Sequence, residues 1–77
     1  MSETKQRVIL YRVPNCSACD EALADLTAGG VDFEDRNVML NQAWFDEALQ
    51  YSISVPVIIR GGRVEVGWKG DMGCPIA

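Results

Sequence analysis

Apolar residues recur along the chain with two different spacings, and the changes of spacing predict where strands and helices lie. Residues 8–12 are nearly all apolar and of strand length, as expected for a strand that is covered on both faces. A helix is predicted from residue 16 to about residue 28, where a Gly29-Gly30 pair ends it. Its apolar face consists of residues at helical spacing: Cys19, Ala22, Leu23 and Leu26.

The second half of the chain predicts another helix between strands. Residues 31–38 begin with alternating apolar and polar side chains, which indicates a second strand parallel to the first through a βαβ crossover. Asn41 is suited to cap a helix over residues 42–51. The core spacing of that helix consists of Phe45, Ala48 and Leu49, and Trp44 beside them is expected to pack rather than to function.

The last predicted strands form a hairpin. Residues 53–59 are apolar but contain Pro56, which has no amide hydrogen for a central ladder, so the proline is expected to begin its strand. Gly61-Gly62 is typical of a two-residue turn between antiparallel strands. The predicted fold is therefore an α/β domain of order β-α-β-α-β-β with a four-stranded mixed sheet. Residues 67–77 leave room for a final helix that is short or absent.

Composition and charge narrow the class of protein. Seventy-seven residues allow a single domain over residues 1–77, which we expect to be a monomer. With 48% hydrophobic and 23% charged residues the chain has the composition of a globular protein, and its apolar runs are too short to span a membrane. A net charge of −4 without a basic stripe argues against a nucleic-acid partner. A polar start without a signal-peptide core favours the cytoplasm.

Cys16 and Cys19 form a Cys-x-x-Cys motif at the point where the first strand gives way to the first helix. Unpaired amides and the helix dipole at a helix N-terminus lower the pKa of a thiol, and the thiolate is the form that attacks a disulfide. Cys16, expected to be exposed, is therefore the predicted nucleophile. Cys19, expected to be buried beneath it, can resolve a mixed disulfide and leave a redox-active Cys16–Cys19 disulfide. The sequence thus predicts a thiol-disulfide oxidoreductase.

Two alternatives use the same cysteines differently. A metal-binding or iron-sulfur module would use Cys16, Cys19 and Cys74 as ligands, but zinc sites in proteins normally have four ligands and the chain contains no histidine. We therefore expect no bound metal or cofactor. A redox-sensing interaction module without turnover is the other alternative. Cys74 itself is expected to have no catalytic role and no lipid, because the residues after it do not match a prenylation signal.

Two motifs give the chain a resemblance to the glutaredoxin family, which has the thioredoxin fold. Residues from Tyr11 to Cys19 match the family pattern Tyr-x-x-Pro-x-Cys-x-x-Cys, which includes Pro14, and residues 55–58 match its Val-Pro segment in order and spacing. The resemblance implies that the peptide bond before Pro56 is cis and that this proline lies against the nucleophilic sulfur. It also implies that the backbone of Val55 pairs with an extended, disulfide-containing protein substrate. Pro14, Val55 and Pro56 are accordingly assigned to substrate binding.

The chain departs from ordinary glutaredoxins where they bind glutathione. Val13 stands in place of a lysine that helps to hold a glutathione carboxylate, and the turn that receives the amino end of glutathione is altered. Residues 67–71 are instead similar to a stretch of the glutaredoxin-like electron donors of ribonucleotide reductase, which are reduced by thioredoxin reductase. The resemblance implies substrate-binding roles for Trp68, Lys69 and Asp71. It leaves two electron sources open, namely NADPH through thioredoxin reductase, or glutathione.

Overall fold

The computed structural model describes residues 8–70 and 72–76. Its first half contains strand β1 (Val8–Arg12), helix α1 (Ser17–Ala28) and strand β2 (Phe33–Asn37). The second half contains helix α2 (Gln42–Tyr51) and strands β3 (Ser54–Val55), β4 (Val57–Arg60), β5 (Arg63–Val66) and β6 (Cys74–Pro75). The predicted order β-α-β-α-β-β is therefore present, with β3 and β6 as two further short strands.

The main sheet has four strands in the order β2-β1-β4-β5. Strand β1 pairs in parallel with β2 and antiparallel with β4, so the predicted βαβ crossover and the predicted mixed sheet are both confirmed. The turn at Gly61-Gly62 joins β4 to β5, and both glycines have positive φ, 56° and 84°. L-residues rarely adopt such angles at two successive positions, which explains the glycine pair.

Alternate side chains of the central strands enter two core clusters. Val8 and Leu10 of β1 contact Ile58 of β4 and the α1 residues Ala22 and Leu26. On the other face of the sheet, side chains of both strands belong to a cluster that also contains Ala48 of α2: Tyr11, Val57, Ile9 and Ile59. The sheet is thus covered on both faces, and this accounts for the nearly continuous apolar sequence of β1.

The ends of the two helices follow from local chemistry. The side chain of Asn41 accepts hydrogen bonds from the amides of Ala43 at 2.9 Å and Trp44 at 3.4 Å, which confirms it as the cap of α2. Helix α1 ends where the amides of Gly29 and Gly30 bond back to Asp25 and Thr27. Its first residue is Ser17 rather than Cys16, because Cys16 has an extended backbone and occupies the N-cap position.

Pro56 lies between two strands, β3 and β4, whereas the sequence predicted only a strand that begins at this proline. Strand β4 begins directly after Pro56, as expected, but Ser54 and Val55 before it form a strand of a second, two-stranded sheet. Its partner is β6, in antiparallel register with Ser54 opposite Pro75 and Val55 opposite Cys74. The region after β5 therefore contributes a strand, which the sequence did not predict.

Candidate active site

Cys16 lies at the N-terminus of α1, but its side chain is buried, with only 1% of its surface exposed. The prediction of an exposed Cys16 is therefore wrong. The turn before it, with Pro14 and Asn15, is exposed as expected, and the thiol position is instead covered by the 72–76 segment, whose Cys74 is bonded to Cys16. The carbonyl of Cys16 accepts the Asp20 amide at 2.8 Å, which closes the first turn of the helix.

The structure contains a disulfide between Cys16 and Cys74, with Cα atoms 6.2 Å apart and a sequence separation of 58 residues. That Cα distance lies within the usual range for disulfides. The predicted disulfide partner of Cys16 was Cys19, and Cys74 was expected to have no catalytic role. In this state of the molecule Cys74 is the disulfide partner of Cys16. The Cys16–Cys19 disulfide and the absence of a catalytic role for Cys74 stay predictions.

Cys19 carries a thiol and is fully buried, as the sequence predicted. It lies three residues after Cys16, one turn into α1, and both side chains belong to the same core cluster. Residues three apart on a helix lie on the same face. The buried thiol is therefore on the side of the helix from which the sulfur of Cys16 can be reached.

Val55 and Pro56 lie next to the 72–76 segment, which contains the disulfide-bonded Cys74. The Val55–Pro56 peptide bond is cis, as the resemblance implied, and both side chains are almost completely buried. The backbone of Val55 pairs with Cys74, and the amide of Gly67 donates to the Pro56 carbonyl at 2.9 Å. The edge at Val55 thus has an extended segment paired with it, although that segment belongs to the chain itself.

Arg12, which precedes Val13 in the sequence, lies near the thiols and was not among the predicted site residues. Its guanidinium forms a two-point ion pair with Asp35, with Nε and Nη2 donating at 2.6 Å and 2.8 Å. This hydrogen bond is the main cause that raises the pKa of Arg12, and the negative charges of Asp20 and a Cys19 thiolate raise it further. Arg12 therefore supplies a permanent positive charge within electrostatic reach of Cys19.

Tyr11, the first residue of the family motif, is buried in a polar network behind the site. Its hydroxyl donates to Glu47 Oε1 at 2.7 Å and accepts from Arg36 Nη1 at 3.1 Å. Arg36 also bonds to Glu47 at 2.8 Å and to Glu34 at 2.7 Å. Burial of the hydroxyl, followed by the hydrogen bond to Glu47, raises the pKa of Tyr11 to about 12. The network ties β1 to β2 and α2.

We expect Tyr11 to ionise late in an alkaline titration. Because its pKa is raised from 10.0 to about 12, the folded state holds the phenolic proton more tightly than the unfolded state does. The stabilisation that this provides is complete below the unfolded pKa and is lost as pH rises from 10.0 through about 12. Phenolate absorbance should therefore show a late step that is missing in Tyr11→Phe and present in Tyr51→Phe. A late step that survives in Tyr11→Phe would refute the assignment.

Trp68 and Lys69 are both attached to α1 through Asp25. The indole Nε1 of Trp68 donates to Asp25 Oδ2 at 2.8 Å, and Lys69 Nζ lies 2.9 Å from the same oxygen. The hydrogen bond from Lys69 is the main cause that lowers the pKa of Asp25, with that from Trp68 second. The Trp68 ring also packs against both core clusters. Asp71, the third residue predicted here, lies outside the described residues.

A surface groove of 490 Å³ runs along the same turn. It is lined by residues of β5 and of the turn after it: Glu65, Val66, Gly67, Trp68, Lys69, Gly70 and Met72. Met72 is 84% exposed and Val66 is 48% exposed, so apolar side chains form part of its rim. Trp68 and Lys69 therefore lie together on one accessible surface. Val55 instead pairs with the disulfide-bonded Cys74, and Pro14 lies in the exposed turn before Cys16.

Residues 8–70 and 72–76 contain neither a grouped set of metal ligands nor a membrane-spanning helix. Within these ranges, no three or more His, Cys, Asp or Glu side chains are grouped so that they could hold a metal ion. Within the same ranges, neither helix has the length and apolar character needed to cross a membrane. Cys16, Cys19 and Cys74 are close in space, but two of them are bonded to each other.

Two features of the site were missed from the sequence: the bond of Cys74 to Cys16, and the contacts of Asp25 with Trp68 and Lys69. Cys74 gave no sequence signal for its place in the site, because the strand Cys74–Pro75 has only two residues and is too short to produce a periodic pattern. Asp25 gave no signal either, because an acidic residue on the polar face of a helix is ordinarily solvated.

Comparison with known proteins yields one family and two similar structures. The family model described as Glutaredoxin-like domain (DUF836) matches residues 7–72. NrdH-redoxin from Escherichia coli, a glutaredoxin-like protein with a thioredoxin-like activity profile, is 28% identical with a TM-score of 0.71, over 86% of this chain and 88% of that chain. The glutaredoxin Grx-1 from Archaeoglobus fulgidus is 25% identical with a TM-score of 0.70, over 83% of this chain and 77% of that chain.

No curated protein sequence matches the chain significantly. The two structural matches nevertheless extend over most of the chain and share its mixed sheet flanked by helices. The fold class predicted from the sequence is therefore confirmed.

Proposed function

Because this chain belongs to the family of glutaredoxin-like domains, we propose that it is a thiol-disulfide oxidoreductase with Cys16 and Cys19 as its catalytic residues. The observation that carries the proposal is the position of Cys16. It lies at the N-terminus of α1, in a disulfide with a cysteine that is held on an antiparallel strand against Val55. A bonded cysteine on an extended segment is the arrangement that a mixed disulfide with a protein substrate requires.

The reaction proceeds by two thiol-disulfide exchanges. The Cys16 thiolate attacks one sulfur of the substrate disulfide, and the other substrate sulfur leaves as a thiolate that takes up a proton. Cys19 then loses its proton and attacks Cys16, so that the second substrate sulfur leaves and a Cys16–Cys19 disulfide remains. The substrate gains two electrons and two protons, and the protein loses the same number.

The residues around the thiols have distinct roles in this scheme. The amides at the start of α1 and the helix dipole favour the thiolate at Cys16. Arg12 places a positive charge within electrostatic reach of Cys19, the resolving residue. The backbone of Val55, followed by Pro56, binds the extended segment that carries the substrate cysteine, and Pro14 borders the site at the exposed turn before Cys16.

The redox-active disulfide is the only prosthetic element that this function needs. Reduction must then come from a partner, either thioredoxin reductase with NADPH or glutathione. The similarity to NrdH-redoxin, with its thioredoxin-like activity profile, favours the flavin reductase. Val13 at the position of a glutathione-binding lysine supports the same choice, because the carboxylates of glutathione need cationic partners. A reducing cytoplasm would supply either donor.

We expect NADPH with thioredoxin reductase to sustain turnover of a model disulfide, and glutathione alone to sustain it poorly. Trp68 and Lys69 lie on the surface turn that would contact the reductase, so Trp68→Ala should lower kcat/KM for the reductase by about tenfold, as for a moderate interface hot spot. Reduction of the variant by dithiothreitol should be unchanged. The measurement is NADPH oxidation with varied concentrations of the chain as the substrate of the reductase.

Trp44→Ala is the matched control for this experiment. Trp44 is also a half-buried tryptophan, but it lies in α2, where Cζ of Arg36 is 5.9 Å from the centroid of its ring. If both tryptophan variants lose the same activity, general loss of packing explains the result. Efficient turnover with glutathione alone would contradict the choice of donor, and absence of turnover with both donors would contradict the proposed oxidoreductase function.

A further inference from the structure

The 72–76 segment fills the edge that the proposed function assigns to a substrate. Val55 pairs with Cys74 and Ser54 pairs with Pro75 in antiparallel register. The amide of Ile76 continues the ladder by donating to the carbonyl of Ile53 at 2.8 Å. The Ile76 side chain packs against the core cluster that contains the thiols. Backbone hydrogen bonds, a side-chain contact and a disulfide therefore hold this segment in the manner of a bound peptide.

Gly73 is required for the segment to approach so closely. Its φ is +86°, and a Cβ added there would overlap the carbonyl oxygen of Val55 and stand 3.0 Å from Cδ of Pro56. Gly70, a few residues earlier, has the same φ of +86°, but an added Cβ would have no atom within 4 Å. The two glycines thus share a backbone conformation and differ in the contact that they permit.

Cys16 can form a disulfide with either of the other two cysteines, Cys74 or Cys19. Cys74 is bonded to Cys16 in this structure, and Cys19 carries a buried thiol one helical turn away. A thiol in that position can attack a disulfide sulfur by the same exchange reaction that releases a substrate. Cys74 therefore occupies the place of a substrate cysteine, with Cys19 in the place of the resolving thiol.

We propose that the 72–76 segment is a tethered peptide ligand of the active site, which is closed by the Cys16–Cys74 disulfide and opened by Cys19. This inference rests on the proposed function, since it identifies the edge at Val55 as the substrate edge. In the opening step the Cys19 thiol loses a proton and its thiolate attacks Cys16. The Cys16–Cys74 bond breaks, the Cys16–Cys19 bond forms, and Cys74 leaves as a thiolate that takes up a proton. No electrons are gained or lost overall.

A tethered ligand of this kind competes with any protein substrate for the same backbone edge. The register also describes the peptide that the edge accepts: a cysteine opposite Val55, a residue without a side chain before it, and an apolar residue two positions after it. In the closed form the catalytic sulfur is buried and protected from outside thiols. In the open form the edge is available.

The exchange can be tested on the full chain without any reductant. Oxidised protein with one disulfide contains one thiol, which belongs to Cys19 in the closed form and to Cys74 in the open form. After equilibration, rapid alkylation and trypsin digestion would separate the two, since Cys19 lies in the peptide of residues 13–36 and Cys74 in that of residues 70–77. We expect label on both peptides, with the larger share on Cys19. Cys19→Ser, which removes the attacking thiol, should retain only the Cys16–Cys74 bond.

Gly73→Ala tests whether docking of the segment supports the closed form. The added methyl group overlaps main-chain atoms, so the ratio of open to closed protein should rise by about tenfold, the scale expected of overpacking. Gly70→Ala is the matched control, because Gly70 has the same φ but an added methyl group there overlaps no atom. Its ratio of open to closed protein should stay within about twofold of wild type. Ile76→Pro, which removes the amide that bonds to Ile53, is a second variant in case Gly73→Ala does not fold.

Several outcomes would overturn the proposal. Label confined to Cys74 would mean that the closed form is not populated, and label confined to Cys19 would mean that no exchange takes place. Equal ratios in Gly73→Ala and Gly70→Ala, or in Ile76→Pro and wild type, would mean that the disulfide does not depend on docking. Turnover of a model disulfide by the same preparations separates the two proposals. Its absence contradicts the proposed function alone, whereas turnover without the closed form contradicts only the tethered ligand.

Discussion

Replacing Cys16 with serine is expected to reduce disulfide-reductase turnover to the uncatalysed background. Both exchanges in the proposed mechanism pass through the sulfur of Cys16, and a serine hydroxyl at neutral pH is neither ionised nor able to form a disulfide. The loss should be at least about 1,000-fold, the size seen when a catalytic nucleophile is removed. The measurement is the rate at which a model disulfide is reduced with dithiothreitol as the electron donor. With this donor the rate does not depend on binding to a reductase.

Ser17→Ala is the control for this variant. Ser17 is the next residue, lies in the first turn of the same helix and is exposed, so it shares the location without the thiol. Its rate should stay within about twofold of wild type, as for most exposed substitutions. Substantial activity in Cys16→Ser would transfer the role of nucleophile to another cysteine, and Cys74 would then be the first residue to substitute.

Leu10→Ala is expected to have the largest effect on stability. Leu10 lies at the centre of β1, is fully buried, and belongs to the cluster between the sheet and α1. Shortening a buried leucine to alanine costs about 3 kcal/mol of the free energy of unfolding, through lost apolar burial and the cavity that is left. A chain of 77 residues has only about 4 to 12 kcal/mol in total. The reduced variant should therefore retain only about 1 to 9 kcal/mol and unfold at a clearly lower urea concentration than the reduced wild type.

Urea unfolding of the reduced protein, followed by circular dichroism, measures this difference. Leu40→Ala is the matched control, because it is the same substitution outside the core. Leu40 is 79% exposed in the turn before α2. The control should lose no more than about 0.5 kcal/mol. Similar midpoints for the two leucine variants would mean that Leu10 does not occupy the centre of the core.

Features with a local chemical cause could be predicted from the sequence. The Asn41 cap, the Gly61-Gly62 turn and the buried face of α1 that contains Cys19 all depend on residues close together in the chain, and the structure contains each of them. The parallel pairing of β1 with β2 also followed, because a helix between two strands is the usual crossover connection between parallel strands. Cis Pro56 came from the family resemblance instead.

The arrangement around Cys16 could not be predicted, because its cause is not local. A two-residue strand such as β6 has too few side chains to produce a periodic pattern, and its pairing with β3 depends on the fold as a whole. Without that pairing nothing indicated that Cys74 would reach Cys16. The expectation of an exposed Cys16 failed for the same reason, since its cover comes from a segment that is 58 residues further along the chain.

The disulfide also determines how the domain transmits mechanical tension. Consider a force that pulls β1 and the 72–76 segment apart along the chain. With Cys16 joined to Cys74, that force passes from β1 through the two sulfur atoms into the 72–76 segment. The loop between the two cysteines, with α1, α2 and strands β2 to β5, is then outside the path of the load. Breaking the bond would place a sequence separation of 58 residues in that path and add about 200 Å of extensible chain. Redox state would then set the contour length over which this protein can be stretched.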